Sequence, residues 1–244
     1  MRPPIRLPAR PDPHWLAAAV GTAAVLAACA VVVQRQTAKA ERDFPPKGRF
    51  VVVEGVRLHF TVHGRDDAAQ TLVLLHGDGS FGEEFDISGL VRQAAERYRV
   101  VIFDRPGHGH SERPADRRFG PEAQADLIRA ALLRLGVADP IVLGHDSGAL
   151  VALAMGLRHP QDLGSLVLVA GRYYPGVRPA LRAGSSLPGV GALLRHTIAP
   201  LLGRLLWPAA VKRRFAPQAP PNDFTRRFPV WLSLRPSQLK AVAA

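Results

Sequence analysis

Pro140-Ile141-Val142-Leu143-Gly144-His145-Asp146-Ser147-Gly148-Ala149-Leu150 decides the fold. Pro140–Leu143 reads as a short apolar strand, and from Ser147 a helical pattern runs to Arg158 and stops near Pro160. Between them lies a strand–turn–helix elbow. A residue at the tip of such a turn sits in strained backbone geometry, and the positions two before and two after it must be small because strand and helix crowd there. Asp146 has Gly144 and Gly148 at those positions, whereas Ser147 has His145 and Ala149. The glycines favour Asp146 at the tip over Ser147. An aspartate here could also simply cap the helix, and the loops elsewhere in the chain weigh against that.

Outward from the elbow, strands and helices alternate. Phe50–Glu54 and Val56–His63 read as a hairpin around Gly55, and Thr71–Leu75, Arg99–Phe103 and Leu166–Val169 read as buried strands. Glu84–Arg97 and Pro121–Leu135 carry helical periodicity, the second with proline early and Gly136 at its end. Such alternation predicts an α/β fold with a mostly parallel sheet and helices on both faces. Function in these sheets gathers at the carboxyl ends of the strands. Two of those ends carry unusual loops besides the elbow: His76-Gly77-Asp78-Gly79-Ser80 and Asp104-Arg105-Pro106-Gly107-His108-Gly109-His110-Ser111. Three histidines, His76, His108 and His110, lack ligand spacing, so no metal is expected. Neither a phosphate-binding glycine loop nor a cofactor fingerprint is visible, so no cofactor is expected.

His76-Gly77, the Asp104–Ser111 loop and the Gly144–Gly148 elbow resemble the α/β-hydrolase family over residues 49–170, and more loosely beyond. The resemblance implies a nucleophile at the elbow, Asp146 or Ser147, with backbone N–H groups of Asp78 and Ser147 forming an oxyanion hole. His76, Gly77, Gly144, His145 and Gly148 would support the motif, and Asp104 would brace its loop. Asp at the tip resembles the epoxide-hydrolase and haloalkane-dehalogenase branches. Those usually place Trp next, where this chain has Ser147, which argues against a dehalogenase. The implied chemistry is carboxylate attack on carbon, a covalent ester, and its hydrolysis by water. Tyr173 or Tyr174 could donate to an epoxide oxygen, though packing is their more ordinary role.

Length and charge bound the rest. The 244 residues are 47% hydrophobic, enough for a packed core, and the single cysteine, Cys29, excludes an internal disulfide framework. The formal charge of +12 is uneven: residues 1–48 carry 7 basic and 3 acidic groups, 49–170 carry 13 and 16, and 171–244 carry 12 and 1. A near-neutral centre is not the footprint of a nucleic-acid binder, so no nucleic-acid partner is expected. Trp15–Val33 is nineteen residues without a charge, long enough for a single transmembrane helix behind a basic segment, 1–14, and ahead of a polar linker, 34–48. Its length favours an uncleaved signal-anchor with the following domain exported. A cleaved signal at Ala28-Cys29-Ala30 and a lipoprotein signal at Leu26-Ala27-Ala28-Cys29 are the alternatives.

Residues 171–244 are rich in Leu, Pro and Arg. Apolar residues recur at helical spacing from Leu193 to Trp207, followed by Lys212-Arg213-Arg214. They read as a partial helical lid over a cleft, or as an amphipathic surface on anionic lipid. A small-molecule or lipid-like substrate with an ester- or epoxide-type bond is expected. The resemblance also calls for a histidine and an acid after later strands. Only His196 and Asp223 are present there, and Val230–Leu234 is the one late strand-like run. The chain therefore reads as a hydrolase truncated before its last core strands. The alternatives are a non-catalytic module that binds a partner or membrane, and a small membrane protein whose basic tail binds anionic surfaces.

Overall fold

A computed structural model describes residues 13–174, 189–221 and 223–243. Six strands form one sheet: β1 (Arg49–Val53), β2 (Val56–His63), β3 (Thr71–Leu75), β4 (Arg99–Phe103), β5 (Ile141–His145) and β6 (Ser165–Val169), in the order β1-β2-β4-β3-β5-β6. The β1–β2 and β2–β4 pairs are antiparallel; β4–β3, β3–β5 and β5–β6 are parallel. The β1–β2 hairpin turns through Glu54 and Gly55, at φ 49° and 76°. Positive φ at both central residues is what a two-residue turn needs to match strand twist.

The period-two alternation of the strands builds a core on each face. Val73, Leu75, Val101, Phe103 and Val142 pack under α4 (Pro121–Arg134) and α5 (Ser147–Arg158). Leu72, Leu74, Val100 and Ile102 pack on the other face with Phe85 of α2 (Glu83–Ile87) and Val91 of α3 (Leu90–Ala94). Side chains of successive strand residues point to opposite faces, so a continuous apolar run serves both. At the end of the sheet, Val167, Leu168 and Val169 of β6 are exposed.

Three expectations need correction. The helix over Glu84–Arg97 is two short helices, because Gly89 turns the chain at φ 80° and ends the first. Val230–Leu234 is no strand: Val230–Ser233 forms a short helix, with Leu234 N–H donating to the Val230 carbonyl at 3.1 Å. An apolar run of that length has no periodicity to separate the two. The polar linker after Val33 is largely helical. α1 runs from Pro13 to Asp43, because 34–43 contain no helix breaker and end in a Lys39–Asp43 pair one turn apart; Pro45-Pro46 then stop it. Residues His14–Asp43 include a stretch long and apolar enough to cross a membrane, and its apolar window is largely exposed.

Val33 and Ala40, near the end of α1, are buried. That end of α1 meets α6 (Val190–His196), α7 (Ile198–Phe215) and α9 (Val230–Ser233). α8 (Phe224–Arg227) and α10 (Pro236–Ala243) complete this helical layer. Its core joins Ala40, Phe81, Trp207, Val211, Phe228, Val230 and Leu232. Gln238 of α10 is fully buried; its amide donates to the Ser80 carbonyl and accepts from Gly109 N–H, both at 3.1 Å. Arg235 donates to the Gly109 carbonyl and to Glu41 of α1. The late helices thus clamp the loops after β3 and β4.

Candidate active site

β5 delivers the elbow. Asp146 stands at its tip with φ 52° and ψ −115°, a conformation costly for any residue but glycine, and Ser147 opens α5. The flanking glycines have a physical cause. A Cβ on Gly144 would lie 2.4 Å from the Gly148 carbonyl oxygen, and one on Gly148 would lie 2.2 Å from that of Leu75. Gly77 makes room for the side chain itself: a Cβ there would come within 2.9 Å of Asp146 Oδ2.

The Asp146 carboxylate has two sets of partners. Asp78 N–H donates to Oδ2 at 3.2 Å. Arg172, just past β6, donates from Nε to Oδ1 at 2.6 Å and from Nη2 to Oδ2 at 3.1 Å. Ser147 faces a different network. Its hydroxyl donates to Asp78 Oδ1 at 2.6 Å and accepts from Arg105 Nη2 at 2.7 Å. Arg105 is buried and also donates to Asp78 Oδ1 at 2.8 Å. Burial pushes the Asp78 carboxyl up, but the Arg105 charge and the Ser147 hydrogen bond outweigh it and hold the group at about 2. A carboxylate so weakly basic does not take the Ser147 proton.

His145 Nδ1 lies 3.2 Å from Glu84 Oε1. That hydrogen bond raises the imidazole above its ordinary value against partial burial, with Asp146 adding to the rise and Arg214 opposing it. Glu84 also lies 3.4 Å from Gly77 N–H, so the pair ties the elbow to the loop after β3. His76 is buried within that loop: Nδ1 donates to the Gly77 carbonyl and Nε2 accepts from Arg105 N–H at 2.9 Å. Burial and the Arg105 charge lower it to about 4. Asp104 accepts from Gly82 N–H, His110 N–H and His59 Nδ1, a brace for three segments of chain. His59, bonded also to Gly48 N–H, forms a buried pair with it, which the sequence did not signal.

Asp78, Glu84, His145, Asp146, Arg172 and Arg214 line one cavity of about 820 Å³, in the range of small-molecule sites. Its other wall is aromatic: Trp207, Phe215, Phe224 and Phe228. Tyr173 packs over Gly171 and Tyr174 is 87% exposed; neither lines the cavity. His196 and Asp223 also lie away from it. Among the described residues no group of three or more His, Cys, Asp or Glu side chains could hold a metal ion. Glu84, Arg105, Arg172 and Arg214 were not picked out as site residues in the sequence. Each enters by tertiary approach: Glu84, Arg105 and Arg172 stand beside or within strand-end loops, and Arg214 belongs to the basic run at the end of α7.

The family described as the alpha/beta hydrolase fold matches residues 70–240, and the chain belongs to that family. It is 28% identical over 188 residues to 2-hydroxymuconate semialdehyde hydrolase of Pseudomonas sp. (strain CF600), covering 72% of this chain and 65% of that protein. It is 32% identical over 181 residues to pimeloyl-[acyl-carrier protein] methyl ester esterase of Aeromonas hydrophila, covering 71% and 65%. The chain thus spans just under two thirds of the length of these relatives. Among solved structures, the epoxide hydrolase CorEH has the same fold, with a TM-score of 0.61 at 20% identity over 80% of this chain and 70% of that one.

Proposed function

We propose that the protein is a hydrolase in which Asp146 attacks carbon in an epoxide- or ester-type substrate to form a covalent intermediate, an alkyl ester from an epoxide ring carbon or a mixed anhydride from an ester's acyl carbon with loss of the alcohol. The observation that carries this is the tip geometry: Asp146 at φ 52°, with Oδ2 already accepting the Asp78 N–H. In epoxide opening, Oδ1 attacks a ring carbon, the ring C–O bond breaks, and the alkoxide takes a proton from a water molecule. The hydroxide left behind adds to the Asp146 acyl carbon. The charge gathers on Oδ2, where the backbone N–H groups of Asp78 and Ser147 hold it; collapse breaks the ester C–O bond, and the leaving alkoxide takes the proton of the added hydroxyl, which releases the diol and restores the carboxylate. His145 and Gly144 hold the turn; Gly77 and Gly148 keep its surroundings clear. Ser147 as nucleophile is disfavoured because its hydroxyl is committed to Asp78 and Arg105.

The helices over the cavity serve as a lid in this reading, and α1 serves as a single-pass anchor that holds an exported domain at the bilayer. A small or lipid-like substrate suits the aromatic wall.

Turnover of styrene oxide and p-nitrophenyl octanoate tests the proposal. Asp146→Asn is expected to cost about 10³-fold and Ser147→Ala less than about tenfold. Repeated turnover in heavy-oxygen water should place the label in the peptide containing Asp146. Loss on Ser147→Ala with Asp146→Asn active, or no label at Asp146, rejects the assignment.

A further inference from the structure

We infer that the cavity takes an anionic amphiphile, its negative group held by Arg214 and its apolar chain laid along the four aromatic rings. This deepens the hydrolase reading by naming the substrate's chemistry, while its binding test stands apart from turnover.

The charges lining the cavity pair off with one exception. Asp78 pairs with Arg105, Glu84 with His145, and Asp146 with Arg172. Among the described residues, Arg214 is the one charged side chain on this wall without a salt-bridge partner. It closes α7 beside Lys212 and Arg213, where cations offset the helix dipole. Of the three, only Arg214 lines the cavity. Its Nη2 would lie 3.9 Å from a Cβ on Gly79, so the guanidinium hangs over the loop that carries Asp78. An anion bound there sits close to the reacting carboxylate's own partners, in a site where apolar walls strengthen the attraction.

The apolar half has its own architecture. Trp207 stacks on Phe228 with centroids 5.1 Å apart, Phe228 on Phe224 at 5.7 Å, and Phe224 meets Phe215 edge-on at 5.0 Å. Trp207, Arg214 and Phe215 come from one helix, so the cationic end and the aromatic wall have a fixed relation. A neutral apolar ligand would use the wall alone, and a cation would meet Arg214 at a like-charge cost.

The test is calorimetric titration of the full chain in phosphatidylcholine nanodiscs, with empty nanodiscs subtracted, using octanoate, butyrate and octyltrimethylammonium. Octanoate should bind at least about tenfold more tightly than either of the others. Arg214→Glu should cost octanoate about tenfold or more, while Arg213→Glu, outside the cavity, should leave it unchanged. Asp146→Asn, which removes a negative charge from the cavity and frees Arg172, should bind octanoate at least as tightly while turnover fails, so that failed turnover and failed binding are separate results. Equal binding of octanoate and octyltrimethylammonium, or octanoate binding indifferent to Arg214→Glu, overturns the inference.

Discussion

At the scale of single residues, the tension lies between Asp146 and Arg172. The guanidinium reaches both carboxylate oxygens, and Oδ1 is the one with the shorter contact. A carboxylate bonded this way has part of its lone-pair density engaged. In the proposed mechanism Arg172 must therefore move aside before Oδ1 can attack. Its side chain is half exposed, so the cost of moving it is that of a screened pair, about 1 kcal/mol or less. Arg172→Gln is expected to raise the rate of covalent-ester formation several-fold, on the order of that energy, with the fold intact. Single-turnover kinetics under saturating substrate check this, and a slower first step would assign Arg172 to substrate positioning instead.

At the scale of elements, the elbow is a contact between strand and helix that tolerates no side chain. α5 approaches β3 so closely that the Gly148 position touches the Leu75 and His76 carbonyls, and both neighbours are backbone that cannot rotate away. Gly148→Ala is expected to destabilise the fold by about 1–3 kcal/mol, and to displace Asp146 as the helix shifts. Gly136→Ala, with open space around it but φ at 66°, should cost only about 1 kcal/mol. Denaturant midpoints of the two variants separate the effects. Equal losses would mean that strained φ, not the packing of α5 on the sheet, sets the requirement at the elbow.

At the scale of the whole molecule, buried ionisable groups couple stability to pH. His76 is fully buried and held near 4, against an ordinary 6.5, and burial and Arg105 push His108 down as well. Below pH 6.5 the unfolded chain gains a proton that folded His76 refuses. Stability is complete above that pH and falls as pH drops toward 4, by about 3 kcal/mol for His76. Asp78 and Asp104, held at about 2 instead of 3.8, extend the loss from pH 4 to pH 2. Unfolding midpoints between pH 7 and pH 3 should fall continuously. A flat profile down to pH 4 would mean that these imidazoles are hydrated in the folded protein.

The six strands, the order of the loops and the family are legible in the amino-acid pattern, because apolar runs, strand-end loops and paired glycines are local patterns with local causes. The pattern also placed the steric demand at Gly144 and Gly148, since an elbow crowds the same positions in any surroundings. It did not determine where a helix breaks at Gly89, that α1 continues to Asp43, or that Val230–Ser233 coils, because short segments take their form from their neighbours. The electrostatics of the site arise from the three-dimensional fold. Arg172 reaches Asp146 across 26 residues, Arg105 reaches Ser147 across 42, and Glu84 reaches His145 across 61. Spacing in the chain carries no information about such pairs. They form because the strand order β4-β3-β5-β6 brings four loop ends to one edge of the sheet.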